Sequence, residues 1–152
     1  MSQSSFELYA GDWKTICDVC ESGKLEALRA GAYSESHLLF PAEFVAGDIL
    51  FVQDAVADLT SNALVHIDFE RAESDGGLFI DRLVVPWVHS IASLPDNSGQ
   101  QLMKRWAALY YSAEYSEPAW NIHTSNTLGA DLIRICRFSI DNKLDLSMVW
   151  IL

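Results

Sequence analysis

The stretch from Leu78 to Tyr111 constrains this chain more than any other. It opens with LFIDRLVV, a largely apolar run of strand length, and passes through PWVHSIASLPDNS, which reads as an irregular connection. It then enters GQQLMKRWAALYY, where Leu102, Met103, Trp106, Leu109, Tyr110 and Ala113 recur at helical spacing. A strand that leads through a loop into a helix start places unpaired backbone N–H groups and the positive end of the helix dipole together. That arrangement can receive an anion.

The rest of the chain supplies a sheet and its covering helices. Phe6 to Tyr9 reads as a strand, and Asp12 as the N-cap of a helix over Trp13 to Glu21 that Ser22 and Gly23 end. A second short helix carries Leu25, Leu28 and Ala32. Tyr33 to Gly47 reads as a loop with room for one short strand. Ile49 to Gln53 and Leu64 to Glu70 read as strands, the second with Val65, Ile67 and Phe69 alternating against His66, Asp68 and Glu70. Beyond the long helix, Ala119 to His123 reads as a strand and Asn126 opens a helix with Leu128, Leu132, Ile135 and Cys136 on one face. Two short strands, Phe138 to Ile140 and Leu144 to Trp150, close the chain. The expected order is β-α-α-β-β-β-α-β-α-β-β, an α/β chain of the α+β kind with a mixed sheet and helices on both faces.

Length and charge bound the function. A chain of 152 residues, half of them hydrophobic, suits a single domain over 1–152 with a sizeable core. A formal net charge of −11 argues against nucleic acid as partner and fits a cationic or amine partner, or an acidic surface that serves solvation alone. The first residues lack the basic head and apolar stretch of a signal peptide, and no run approaches the length of a membrane span. A cytoplasmic protein without membrane contact is expected. Cys17 and Cys20 form a C-x-x-C on the apolar face shared with Trp13 and Ile16, which suits core packing better than redox chemistry. No metal site is expected.

Three patterns then resemble the GNAT acyltransferase superfamily. Phe6-Glu7-Leu8-Tyr9 with Asp12-Trp13 and Ile16 is similar to its opening strand and first helix. Asp81-Arg82-Leu83-Val84-Val85-Pro86, followed by Gly99 and Leu102-Met103, resembles its fourth strand, its glycine-containing turn and the helix beyond. Asn126, with Ala130, Leu132 and Phe138, resembles its N-x-x-A…GF segment. The resemblance implies an N-acetyltransferase that moves an acetyl group from acetyl-CoA to a small primary amine by direct attack. Leu83, Val84 and Val85 would hold the pantetheine arm, and Asn97, Ser98, Gly99, Gln100 and Gln101, with Asn126, would complete the coenzyme A site. Asp81 would be the base, with His89 and Tyr110 or Tyr111 as further acid–base candidates, and Trp87 a wall of the cleft or a core residue.

The chain also departs from that pattern. The turn reads Leu94-Pro95-Asp96-Asn97-Ser98-Gly99, with Asp96 where a phosphate would come. Ile133 stands where the family often has a proton-donating Tyr, and Arg137 replaces the Gly before Phe138. These departures carry a second expectation, a GNAT-like binding or regulatory protein whose acidic surface serves a protein partner. The apolar end from Trp150 to Leu152 suggests a homodimer edge.

Overall fold

The computed structural model describes residues 5–40, 46–61, 69–74, 77–114 and 127–151. The expected strand Ala119 to His123, residue Asn126 and most of the strand Leu64 to Glu70 lie outside these residues. Five strands form one sheet: β1 (Ser5–Gly11), β2 (Ser36–Leu39), β3 (Phe69–Ser74), β4 (Leu78–Leu83) and β5 (Asp145–Ile151). Their order across the sheet is β2-β1-β5-β4-β3. Every pairing among the described strands is antiparallel; the expected mixed sheet also drew on Ala119 to His123, which lies outside them.

The helices are α1 (Trp13–Glu21), α2 (Leu25–Arg29), α3 (Leu50–Thr60), α4 (Val85–Ala92), α5 (Gly99–Glu114) and α6 (Leu128–Asp141). They cover both faces of the sheet. On one face Tyr9, Ile80 and Val149 pack with Ile16, Val19 and Cys20 of α1 and Leu28 of α2. On the other, Phe6, Leu8, Leu146 and Met148 meet the larger core built from α3, α4, α5 and α6. The alternation along β1 and β5 accounts for the split, since successive strand residues point to opposite faces.

The local signals worked where they were chemical. The carboxylate of Asp12 accepts a hydrogen bond from Thr15 N at 3.0 Å and caps α1 as expected. The short strand allowed between Tyr33 and Gly47 is β2, and Leu144 to Trp150 corresponds to β5.

Three elements differ from expectation. Ile49 to Gln53 is not a strand but the start of α3, because Val52, Ala55 and Val56 are buried at helical spacing and outweigh the β-branched start. Phe138 to Ile140 belongs to α6, whose buried stripe continues through Ile135, Cys136 and Ser139; a serine in that stripe hides the period. The connection after Val85 is largely α4, which admits Pro86 because a first-turn residue needs no N–H partner. In addition, β5 lies between β1 and β4, so the C-terminal strand is central rather than a dimer edge.

Candidate functional site

The three candidate acid–base residues occupy different settings. Asp81 is fully buried on β4, and its Oδ2 accepts a hydrogen bond from Trp150 Nε1 at 3.0 Å. Trp150 in turn stacks on Phe79, their ring centroids 4.4 Å apart. A base must reach the proton that it removes, and this carboxylate is enclosed by the core. His89 is exposed on α4, where its backbone carbonyl accepts from Ser93 N. Tyr110 sits on α5 with its ring edge-on to Phe51 of α3, and burial, followed by the charge of Asp48, raises its pKa. Tyr111 beside it is exposed, whereas Trp87 is fully buried on α4.

The expected pantetheine contacts depend on open backbone at Leu83, Val84 and Val85. Strand β4 is paired on both sides, with β3 and with β5, and Leu83 lies opposite Phe69. Val84 is the N-cap of α4, and its carbonyl accepts from Val88 N at 3.2 Å. Val85 is the first residue of that helix and is 59% exposed. Leu83 is thus paired with β3 and the Val84 carbonyl is taken by α4, whereas Val85, as a first-turn residue, has no acceptor within the helix for its N–H.

Asn97, Ser98, Gly99, Gln100 and Gln101 do come together where α5 begins. Asp96 to Ser98 make one 3₁₀ turn that runs directly into α5, and Ser98 N donates to Pro95 O at 2.9 Å. Asn97, Gln100 and Gln101 are exposed, whereas Ser98 and Gly99 are buried. What buries Gly99 is the start of α6. A Cβ on Gly99 would lie 2.7 Å from Ala130 N and 2.9 Å from Ala130 Cα, and one on Gly129 would overlap the Gly99 carbonyl oxygen. The two glycines thus let two helix starts touch through their backbones, a close approach that only residues without Cβ allow.

Arg137 of α6 locks the same turn from its other side. Its Nε donates to Ala92 O at 3.1 Å, its Nη2 to Leu94 O, and its Nη1 pairs with the carboxylate of Asp96. One guanidinium so caps the end of α4 and neutralises the residue that begins the turn into α5, a fork geometry suited to Arg. Asp96 and Arg137, two of the three departures from the pattern that the sequence resembles, are partners. Ile133, the third departure, is a buried core residue of α6.

Buried polar groups outside this region are structural ties. Glu7, nearly enclosed on β1, accepts from Arg29 Nε at 2.5 Å and from the Tyr9 hydroxyl at 3.3 Å, while Arg29 Nη2 reaches Ser5 Oγ at 3.0 Å. Burial, with Glu7 adding to it, raises the pKa of Tyr9. Asp145 joins α1 to the sheet, accepting from Trp13 N at 3.1 Å and from Arg82 Nη2 at 2.7 Å. Cys17, Cys20 and Cys136 are buried and not joined in disulfides, and burial and the neighbouring Cys17 push Cys20 up to about 12. That is the opposite of the activation a redox pair needs. Among the described residues no three His, Cys, Asp or Glu side chains gather as metal ligands. Nor is any described helix long and apolar enough to cross a membrane.

A cavity of about 350 Å³ lies elsewhere, between β2 and α6. Ser36, His37, Leu38 and Leu39 line one wall, and Asp131, Arg134, Ile135 and Phe138 the other. Sequence reasoning missed it because Phe138 was assigned to a strand and nothing local showed that the helix carrying Asp131, Arg134 and Ile135 faces β2. The adjacent Leu38 and Leu39 in an otherwise polar stretch were the available signal.

Comparison with known proteins adds no relative: no family model, curated protein or solved structure matches this chain.

Proposed function

We propose that this chain is a non-catalytic binding protein whose acidic surface recognises a basic partner. The observation that carries the reading is the closed start of α5, where Gly99 lies against Ala130 and Arg137 holds Asp96. The packing of Gly99 against α6 and the Asp96 carboxylate at the turn both count against a pyrophosphate at that helix start. The GNAT resemblance contributes no step to this reading, which rests on Gly99, Asp96 and Arg137 alone.

Charge supports the partner class. Arg29, Arg82, Arg105, Arg134 and Arg137 each pair with a carboxylate, so the arginines are largely neutralised within the fold. The surplus of the −11 chain then resides in exposed acids such as Asp12, Asp18, Glu21 and Glu35. Such a field speeds encounter with a cationic surface and weakens as salt rises.

The competing expectation is acyl-CoA-dependent N-acetyl transfer to a small amine, with Asp81, His89 or Tyr110 moving the proton. Incubation with acetyl-CoA and a panel of primary amines, read by release of free thiol, separates the two. The binding reading expects no thiol above the uncatalysed rate, together with salt-sensitive retention of basic peptides on the immobilised chain. Catalysed thiol release, or equal retention of basic and acidic peptides, would overturn it.

A further inference from the structure

Strand β2 is an outer strand of the sheet, paired with β1 alone among the described residues. In an antiparallel pair, alternate residues turn both N–H and C=O toward the partner, and those between turn them away. Leu8 lies opposite Leu38, and Phe40 N donates to Phe6 O at 3.1 Å, which sets the even-numbered residues of β2 as the inward ones. The backbone of His37 and Leu39 therefore faces outward. Ser36 to Leu39 carries none of the Lys, Pro or inward charge with which sheet edges are commonly blunted.

Beneath that edge is the cavity on α6. Leu38 packs against the main core, Ile135 and Phe138 are the apolar residues of the facing wall, and Arg134 and Asp131, which also line it, pair at 2.8 Å and add no net charge. A strand laid along β2 would direct alternate side chains into this space. Leu39, 48% exposed, would contact the opposite set. Glu35, exposed at the head of β2, and the chain's net charge select positive flanks on whatever docks.

We infer that the outer edge of β2, with the cavity lined by Ile135 and Phe138, takes an extended segment of a basic partner protein as an added strand. The segment would place one large apolar side chain in the cavity and Lys or Arg beside it. This site rests on the reading of the chain as a binding protein for a basic partner and gives that reading a location.

A labelled hexapeptide of alternating Leu and Lys is the probe, titrated by fluorescence anisotropy against the intact chain. Saturable binding is expected, weakened at least about tenfold when alternate peptide amides are N-methylated, since each methyl removes a ladder hydrogen bond. The variant Leu39→Lys, at an exposed position, should weaken it as strongly while leaving the melting temperature unchanged. Equal affinity for the methylated peptide, indifference to Leu39→Lys, or no binding at millimolar peptide would overturn the site. Unstructured polylysine separates the two levels: if it binds in a salt-dependent way and the strand peptide does not, the basic-partner reading stands and the β2 site falls. A concentration-dependent dimer in sedimentation that Leu39→Lys abolishes would assign the edge to a second copy instead and likewise overturn the proposal.

Discussion

The guanidinium of Arg137 on α6 pairs with the carboxylate of Asp96, and the same side chain holds the carbonyls of Ala92 and Leu94. Removing it leaves part-buried acceptors without their donor, so Arg137→Ala should cost about 1–3 kcal/mol in urea unfolding. Asp96 is largely exposed and its pair is correspondingly weak, so Asp96→Asn should cost less than about 1 kcal/mol. Equal losses for the two variants would place the clamp in the ion pair instead of the carbonyl contacts.

Gly99 and Gly129 offer a test whose sign is informative. Alanine at an open helical position gains up to about 1 kcal/mol over glycine. Here a Cβ on Gly99 meets the Ala130 backbone at 2.7 Å, and one on Gly129 overlaps the Gly99 carbonyl oxygen and lies 2.9 Å from the Met103 side chain. Gly99→Ala should therefore destabilise by about 1–3 kcal/mol, as overpacking does. A rise in melting temperature would show that α5 and α6 do not touch there.

How much of this was legible in the sequence depended on the kind of signal. Asp12 as a cap, the α1 stripe and β5 follow from nearest-neighbour chemistry and were readable. The start of α3 was not, because Ile49 to Val52 resemble a strand until Ala55 and Val56 are seen to be buried. The meaning of Gly99 was also out of reach. A glycine at a helix start serves an anion or a neighbouring backbone equally well, and only the position of Ala130 decides between them. The pairing of Asp96 with Arg137, 41 positions apart, is a tertiary fact for which neither residue gave a local sign.

The buried pair of Glu7 and Arg29 should be sensitive to loss of either member. Arg29→Ala leaves an enclosed carboxylate without its cation, and a cost of about 3 kcal/mol is expected from thermal or urea unfolding. Replacing both residues by apolar ones of similar size should recover much of that loss. If the single and double variants are equally unstable, the pair is not the source of the effect.

Alkaline pH should unfold the protein through groups whose protonated forms the core favours. Cys20 is raised from 9.0 to about 12 and Tyr9 is raised above 10.0, both chiefly by burial. In each case the folded state binds the proton more tightly, so stability is complete below the ordinary value and falls as pH rises above it. Stability measured in urea should decline from about pH 9 upward. Tyr9→Phe should flatten the decline above about pH 10; an unchanged slope would remove Tyr9 from the account.

The closed start of α5 is tested most directly by titrating acetyl-CoA into the isotopically labelled protein and following the backbone amide signals of Asp96 to Leu102. The account predicts no saturable shift at millimolar ligand. A saturable shift centred on Gly99 to Gln101, accompanied by thiol release when an amine is added, would contradict it.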